Sequence, residues 1–156
     1  MQRVKYRTVW ISDTHLGSRG AQAAKLSHFL KRINCDTLYF VGDIIDFWRL
    51  KSKVYWPWQH NAVLRRTLQL AKRGAKIIYV PGNHDEALRQ YVGLEFGGIL
   101  IRREGVHETA DGRTLLVTEL QRIHQPVVIG DERLAARAGV VRAPQDSPAV
   151  DLVAVV

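Results

Sequence analysis

The 156-residue chain contains 46% apolar and 24% charged residues and carries a formal net charge of +8. This composition excludes a disordered or fibrous chain, and the length suits one domain with a hydrophobic core. The positive charge favours a polyanionic partner, although solubility alone explains scattered charges that form no dense basic run equally well.

The number of cysteines and the distribution of apolar residues indicate the cellular compartment. The single cysteine, Cys35, cannot form an internal disulfide and has no Cys or His partners at metal-site spacing, which favours a cytoplasmic protein. The basic N-terminus runs into a strand pattern and not into an apolar signal core. Because no apolar run reaches the roughly 18 residues of a membrane span, we expect a protein that is neither secreted nor membrane-spanning. Peripheral contact with the inner membrane stays open.

Strand and helix patterns alternate through the first 118 residues. Apolar runs predict strands at 8–11, 37–41, 76–80, 99–101, 106–108 and 114–118. Helical spacing predicts helices over 21–33 and 59–73, with a short helix from 85 to about 91. A turn over 110–113 predicts a hairpin between the last two strands. The alternation predicts an α/β fold with βαβ layers and a largely parallel sheet.

The character of the chain changes after Thr118. Every aromatic residue lies at or before Phe96, the last lysine is Lys76, and the remainder is rich in Ala, Val, Arg and Pro. Weak patterns in this tail predict a strand over 127–129 and a helix over 132–138.

Polar residues suited to metal ions follow the first three predicted strands. They are Asp13 and His15, then Asp43, then Asn83, His84 and Asp85. Loops at the carboxyl edge of a parallel sheet meet in one crevice, so we expect these side chains to converge. Each motif alone more often marks a solvated loop or a cap, but their shared order, spacing and position after strands make a strong joint signal.

The motifs Asp13-Thr14-His15, Gly42-Asp43 and Gly82-Asn83-His84-Asp85 resemble those of the calcineurin-like metallophosphoesterases. Within this family, residues 12–17 and 42–48, with the Trp-Pro-Trp segment, are most similar to the bacterial UDP-2,3-diacylglucosamine hydrolases.

The resemblance runs from about Arg7 to Thr118 and ends there. It implies that residues 1–118 form the N-terminal part of a metallophosphoesterase domain, incomplete at its C-terminus, and that 119–156 form an atypical tail.

The resemblance also implies a site for two divalent metal ions. Asp13 and His15 would hold one ion, and Asp43 would bridge to the second. Asn83 would also hold the second ion. Mixed nitrogen and oxygen ligands suit Mn, Fe or Zn better than Ca. Mn is the expected metal, with Fe or Zn as alternatives.

His84 and Asp85 are the candidate catalytic residues. By the resemblance, His84 would face the phosphate and protonate the leaving group or stabilise the developing charge. Asp85 would orient the His84 ring.

Two features of the family's site are not recognisable in the sequence. The family has a histidine after the strand that follows the Asn-His motif, and later a Gly-His-x-His pair. Here Thr118 leads into Glu119-Leu120-Gln121 instead, and His124 stands in no matching context. We hypothesise a frameshifted or truncated reading frame. The alternative is a remodelled family member in which Glu119 replaces the histidine as a ligand.

Aromatic and basic residues flank the second motif. Four aromatic residues could form the edge of the site, where they would face a lipid or stack on a nucleotide, or could equally pack in the core. They are Trp48, Tyr55, Trp56 and Trp58. Three basic residues could bind a diphosphate or could equally be solvated surface charges. They are Arg49, Lys51 and Lys53. We take Trp48 and Arg49 as candidate substrate-binding residues.

Four further residues have expected supporting roles. His28, His60 and His107 lie away from the predicted strand ends, so we expect each to be structural or at the surface. Asp46 either supports the metal ligands or caps the loop.

The implied function is hydrolysis of a phosphoester or diphosphate, of the UDP-2,3-diacylglucosamine hydrolase type in the lipid A pathway. The substrate would be a phosphorylated small molecule or a lipid-linked nucleotide. Two alternatives stay open: a catalytically impaired fragment, and a nuclease of the same family. Nucleic acid is the less expected partner.

Overall fold

The computed structural model describes residues 3–109, 112, 114–118 and the backbone of 151–155. The elements, in chain order, are β1 (Val4–Ser12), α1 (Ala23–Arg32), β2 (Ile33–Val41), α2 (Phe47–Ser52), α3 (Trp58–Lys72), β3 (Lys76–Val80), a 3₁₀-helix (Glu86–Tyr91), β4 (Glu95–Phe96), β5 (Ile99–Ile101), β6 (Glu104–Glu108), β7 (Thr114–Thr118) and β8 (Asp151–Val155). The predicted elements at 127–129 and 132–138 lie outside the described residues.

The main sheet has the strand order β4-β5-β3-β2-β1-β8. Every neighbouring pair is parallel except β4 with β5. Strands β6 and β7 form a separate antiparallel pair. The predicted α/β fold with a largely parallel sheet and the predicted hairpin are therefore confirmed.

The central strands are apolar on both faces because both faces are covered, as is usual in a parallel sheet. On one face, α1 and α3 bury residues such as Leu30 and Leu70 against Leu38 and Phe40 of β2. On the other face, Tyr39 packs with Ile78, Val80 and Val117, the last of which belongs to β7. The sheet is thereby held rigid, and its carboxyl edge presents loops in fixed positions.

The structure differs from the predicted boundaries at the end of α1. The helix ends at Arg32 and β2 begins at the next residue, Ile33, although the sequence predicts helix through 33. Ile33 pairs with Val4 in the parallel β1–β2 ladder and is buried. An apolar residue at position 33 fits both the helical and the strand pattern of apolar residues. Pairing with Val4 in the sheet makes it part of the strand.

Three short elements were not predicted. Helix α2 has only six residues, none of them fully buried, and β4 has only two residues. Strand β8 lies in the atypical tail and pairs with β1 at the sheet edge, with Thr8 opposite Asp151 and Ser12 opposite Val155. None of the helices in the described part of the chain is both long and apolar enough to span a bilayer.

Candidate functional site

Three loops at the carboxyl ends of β1, β2 and β3 are tied together by backbone hydrogen bonds. The N–H of Asp13 donates to the carbonyl of Gly42 over 3.2 Å, and the N–H of His15 donates to that of Asp43 over 2.9 Å. The N–H of Gly42 in turn donates to the carbonyl of Val80 over 2.8 Å. The hydrogen bonding of the sheet thus continues into the loops, which places their side chains in one cleft.

The backbone is left-handed at three of the predicted ligand positions. Asp13, His15 and Asp43 have φ values of 53°, 45° and 52°, a region that residues other than glycine seldom adopt. Such conformations cluster at functional sites, where the surrounding structure compensates for their cost.

Gly82 allows the third loop to approach the second. A Cβ atom at this position would lie 2.6 Å from Asp43 Oδ1 and 2.7 Å from Asp43 N. The absence of a side chain therefore lets the loop that carries Asn83 and His84 pack directly on the Asp43 carboxylate, which also accepts the N–H of His84 over 2.9 Å.

Two groups of potential metal ligands share His15. In the first, ligand atoms of Asp13, His15 and Asp43 lie within 4.8 Å of one another. In the second, those of His15, Asp46 and His84 do so. Asn83 is half-buried on the same loop as His84.

This donor set fits divalent cations. Asp13 and Asp43 bring two carboxylates together, and like charges at such a separation are unfavourable unless a cation lies between them. Imidazole nitrogen and carboxylate oxygen together match Mn, Fe or Zn. The residues present therefore fit the metal centre that the sequence predicts.

Asp46 contacts both histidines of the site. Its Oδ2 lies 3.4 Å from His15 Nδ1, and its Oδ1 lies 3.1 Å from His84 Nδ1. Oδ1 also accepts the N–H of Arg49 over 2.9 Å, which caps α2. Burial raises the pKa of Asp46, but the Arg49 N–H and the two neighbouring imidazoles lower it further, so that the pKa lies below its ordinary value. Both roles considered for Asp46, ligand support and loop cap, are present at once.

Asp85 does not orient the His84 ring, contrary to the expectation from sequence. Its buried carboxylate accepts the Ile44 N–H over 2.9 Å, the Gly82 N–H and the Tyr79 hydroxyl. Burial first, and then the Asp85 charge, raise the pKa of Tyr79 well above its ordinary value, so the phenol stays protonated and donates. Asp85 turns into the protein and holds the second and third loops together, whereas Asp46 contacts the ring.

The aromatic residues divide between the site and its surroundings. Trp48 stacks on His84 with ring centroids 4.2 Å apart and an angle of 29°. Tyr55 lines the cleft. Trp56 is half-buried and donates to Asn61, and Trp58 is 71% exposed; neither lines the cleft.

The cleft has a volume of about 740 Å³ and a basic rim. Arg19, Arg49 and Lys53 line it together with Asp13, His15, Asp46 and His84. The Arg19 guanidinium lies 5.6 Å from the centre of the Tyr55 ring. Sequence reasoning missed Arg19, although its place six residues after Asp13 in a Gly- and Ser-containing loop was a usable signal. Lys51 does not line the cleft.

The three histidines assigned away from the site are structural or exposed, as predicted. His60 is buried and its Nδ1 accepts the Gly17 N–H over 3.0 Å, which supports the first loop from behind. His107 is buried edge-on against Trp10, and His28 is exposed. Glu119 lies outside the described residues.

A model of the family described as calcineurin-like phosphoesterase matches residues 6–131 of the chain. The chain belongs to this family. This phosphoesterase is 30% identical to a UDP-2,3-diacylglucosamine hydrolase of Porphyromonas gingivalis over 101 residues, which cover 60% of the chain and 38% of that protein. It is also 30% identical to a UDP-2,3-diacylglucosamine hydrolase of Yersinia pseudotuberculosis over 113 residues, which cover 70% of the chain and 46% of that protein.

The aligned part of the phosphoesterase thus spans less than half the length of these relatives. No solved structure matches the chain at comparable significance. The family match includes all three loops of the cleft and continues past Thr118.

Proposed function

We propose that this calcineurin-like phosphoesterase is a metal-dependent hydrolase that cleaves the diphosphate of a substrate of the UDP-2,3-diacylglucosamine type. The observation that carries the proposal is the convergence of two ligand groups on His15 in one cleft. The names of the curated relatives supply the substrate class. A lipid-linked nucleotide would place the protein in the cytoplasm, in peripheral contact with the membrane that holds the substrate.

Four residues would hold two divalent ions. Asp13 and His15 would bind the first ion, Asp43 would bridge both, and Asn83 would bind the second. When bound, the ions, Mn or alternatively Fe or Zn, would polarise the phosphoryl oxygens and supply an activated water. The left-handed backbone at Asp13, His15 and Asp43 would help to direct these side chains toward the ions.

His84 would act on the phosphoryl group. Because its Nδ1 lies against Asp46, Nε2 is the nitrogen left to hold a proton near the leaving oxygen. The stacked Trp48 ring covers one face of the imidazole and limits both its rotation and its access to water.

The basic rim would bind the substrate's diphosphate. Arg49 lies in α2, Lys53 follows the end of this helix and Arg19 lies on the first loop, and all three line the cleft. Guanidinium groups suit phosphate because they donate two parallel N–H bonds. Tyr55, beneath Arg19, offers a ring face to an apolar or base moiety.

The test is release of UMP from UDP-2,3-diacylglucosamine by the purified chain with added Mn, beside two variants. We expect Asp43→Ala to reduce the rate to the background, because it removes the bridging carboxylate. Asp36→Ala, which removes an exposed aspartate of β2 that pairs with Lys5 of β1, should leave the rate unchanged. Equal rates in the wild type and Asp43→Ala would contradict the proposal. Salt-sensitive cleavage of DNA without UMP release would favour a nuclease instead.

A further inference from the structure

Two arginines meet at the junction of α1 and β2, at the amino edge of the sheet. The Nε of Arg3 donates to the carbonyl of Lys31 over 3.3 Å. Arg73 donates from Nη1 to Asn34 Oδ1 over 3.3 Å and from Nε to the carbonyl of Gln69 over 2.9 Å. Since Lys31 and Asn34 flank the same junction, the two guanidinium groups lie close together.

Arg66 joins this group through Gln69. Its Nη1 donates to Gln69 Oε1 over 2.8 Å, so Arg66 and Arg73 are held by the same residue of α3. The Nε atom of Arg66 is buried and has no hydrogen-bond partner among the described residues.

The three positive charges lack a balancing carboxylate within the described part of the chain. None of the ion pairs found there includes Arg3, Arg66 or Arg73. The nearest acidic side chain on β2, that of Asp36, pairs with Lys5 at 3.6 Å. Burial, and then the charges of Arg3 and Arg66, lower the pKa of Arg73. The three like charges repel one another, and a bound anion would offset this repulsion.

The arginine cluster is far from the metal-ligand cleft. It lies at the amino ends of β1 and β2, whereas Asp13 follows the carboxyl end of β1, a strand of nine residues. At about 3.3 Å per residue the two ends are about 30 Å apart. A ligand bound by the arginines cannot also contact Asp13.

We propose that Arg3, Arg66 and Arg73 form a binding site for a phosphate-class oxyanion, separate from the phosphoesterase cleft. The planar guanidinium fork matches the oxygens of a phosphate. The same chemistry is offered by free phosphate and by the phosphomonoester headgroup of an anionic lipid. The site does not depend on the proposed hydrolase function.

The first experiment is calorimetric titration of the full chain with inorganic phosphate, in EDTA so that the cleft holds no metal ion. Arg73→Gln and Arg3→Gln each remove one guanidinium. Arg3 is exposed and precedes β1, so we expect that variant to keep the fold. Arg65→Gln is the matched control, because Arg65 is an exposed neighbour on α3 outside the cluster.

We expect phosphate binding that weakens at least about tenfold in Arg73→Gln and Arg3→Gln and is unchanged in Arg65→Gln. A second arm measures co-sedimentation with vesicles of phosphatidylcholine alone or mixed with phosphatidic acid. Binding that needs phosphatidic acid and is lost in Arg73→Gln identifies a lipid headgroup, and phosphate binding without vesicle binding identifies a soluble anion. If neither probe binds, or if all variants bind as the wild type does, the proposed site is wrong.

Discussion

Asp46 uses both carboxylate oxygens to hold the histidines of the cleft. One oxygen lies beside His84 Nδ1 and the other beside His15 Nδ1. A carboxylate behind an imidazole fixes the orientation of the ring and makes the outward nitrogen a better ligand or proton carrier. The residue that sequence reasoning left between two roles is thus central to the geometry.

Replacing Asp46 separates its roles as a cap and as a partner of the histidines. In Asp46→Asn the side chain still caps α2 but loses its charge, and we expect Mn-dependent phosphoesterase activity to fall about 10- to 100-fold. Asp46→Ala should also lose about 1 kcal/mol of folding stability with the cap. Activity assays and urea unfolding measure the two effects. An Asp46→Asn variant with wild-type activity would show that the histidines need no carboxylate.

Gly82 is the point at which a single methyl group should disturb the site. Its Cβ would meet Asp43 at 2.6 Å, so Gly82→Ala must push the two loops apart. We expect a loss of about 1–3 kcal/mol in the free energy of unfolding, as for overpacking, together with weaker metal binding. Gly20→Ala, where no atom lies within 4 Å of the added methyl, should change neither. Equal stabilities for the two variants would refute the close packing.

The sequence predicted which residues gather in the cleft. It did not predict which of two aspartates, Asp46 or Asp85, contacts the histidines. Asp13, His15, Asp43 and His84 could be placed because each follows an apolar strand of a parallel sheet. Asp46 and Asp85 could not be distinguished by spacing. Side-chain direction in these loops depends on the backbone conformation, including the left-handed residues.

Among the elements, the loops after β2 and β3 are joined through one buried side chain. Asp85 accepts the N–H groups of Ile44 and Gly82 and the hydroxyl of Tyr79. Each loop is therefore restrained by the other, and the distance between Asp43 and His84 depends on this connection.

Asp85→Asn should loosen both loops, because an amide nitrogen replaces one acceptor oxygen and leaves a buried donor without a partner. We expect a loss of about 1–3 kcal/mol in folding stability and faster amide hydrogen exchange at residues 42–46. The control is Glu86→Gln, an exposed neighbour in the 3₁₀-helix. Unchanged exchange at 42–46 in Asp85→Asn would mean that the backbone ladder alone holds the loops.

Elements were predictable where local pattern and tertiary environment agree. The bounds of β3, β5 and β7 match the predicted strands because each is a compact run of mainly apolar residues. Helix α2 was missed because it has no buried face and is specified by the Asp46 cap. Strand β8 was missed because its place is set by pairing with β1, more than a hundred residues earlier.

At the scale of the whole molecule, the fold separates two positively charged regions. The basic rim of the cleft lies at the carboxyl edge of the sheet, and the arginine cluster lies at its amino edge. Part of the net charge of +8 lies at the rim of the cleft, and part lies in the arginine cluster, whose members form no ion pair found among the described residues.

The central claim is that the three loops form a site for two divalent ions, and calorimetric titration of the chain with Mn tests it most directly. We expect saturable binding of two ions per chain, lost or strongly weakened in Asp43→Ala and unchanged in Asp36→Ala. Absence of binding in a folded wild-type chain, or equal binding by wild type and Asp43→Ala, would contradict it.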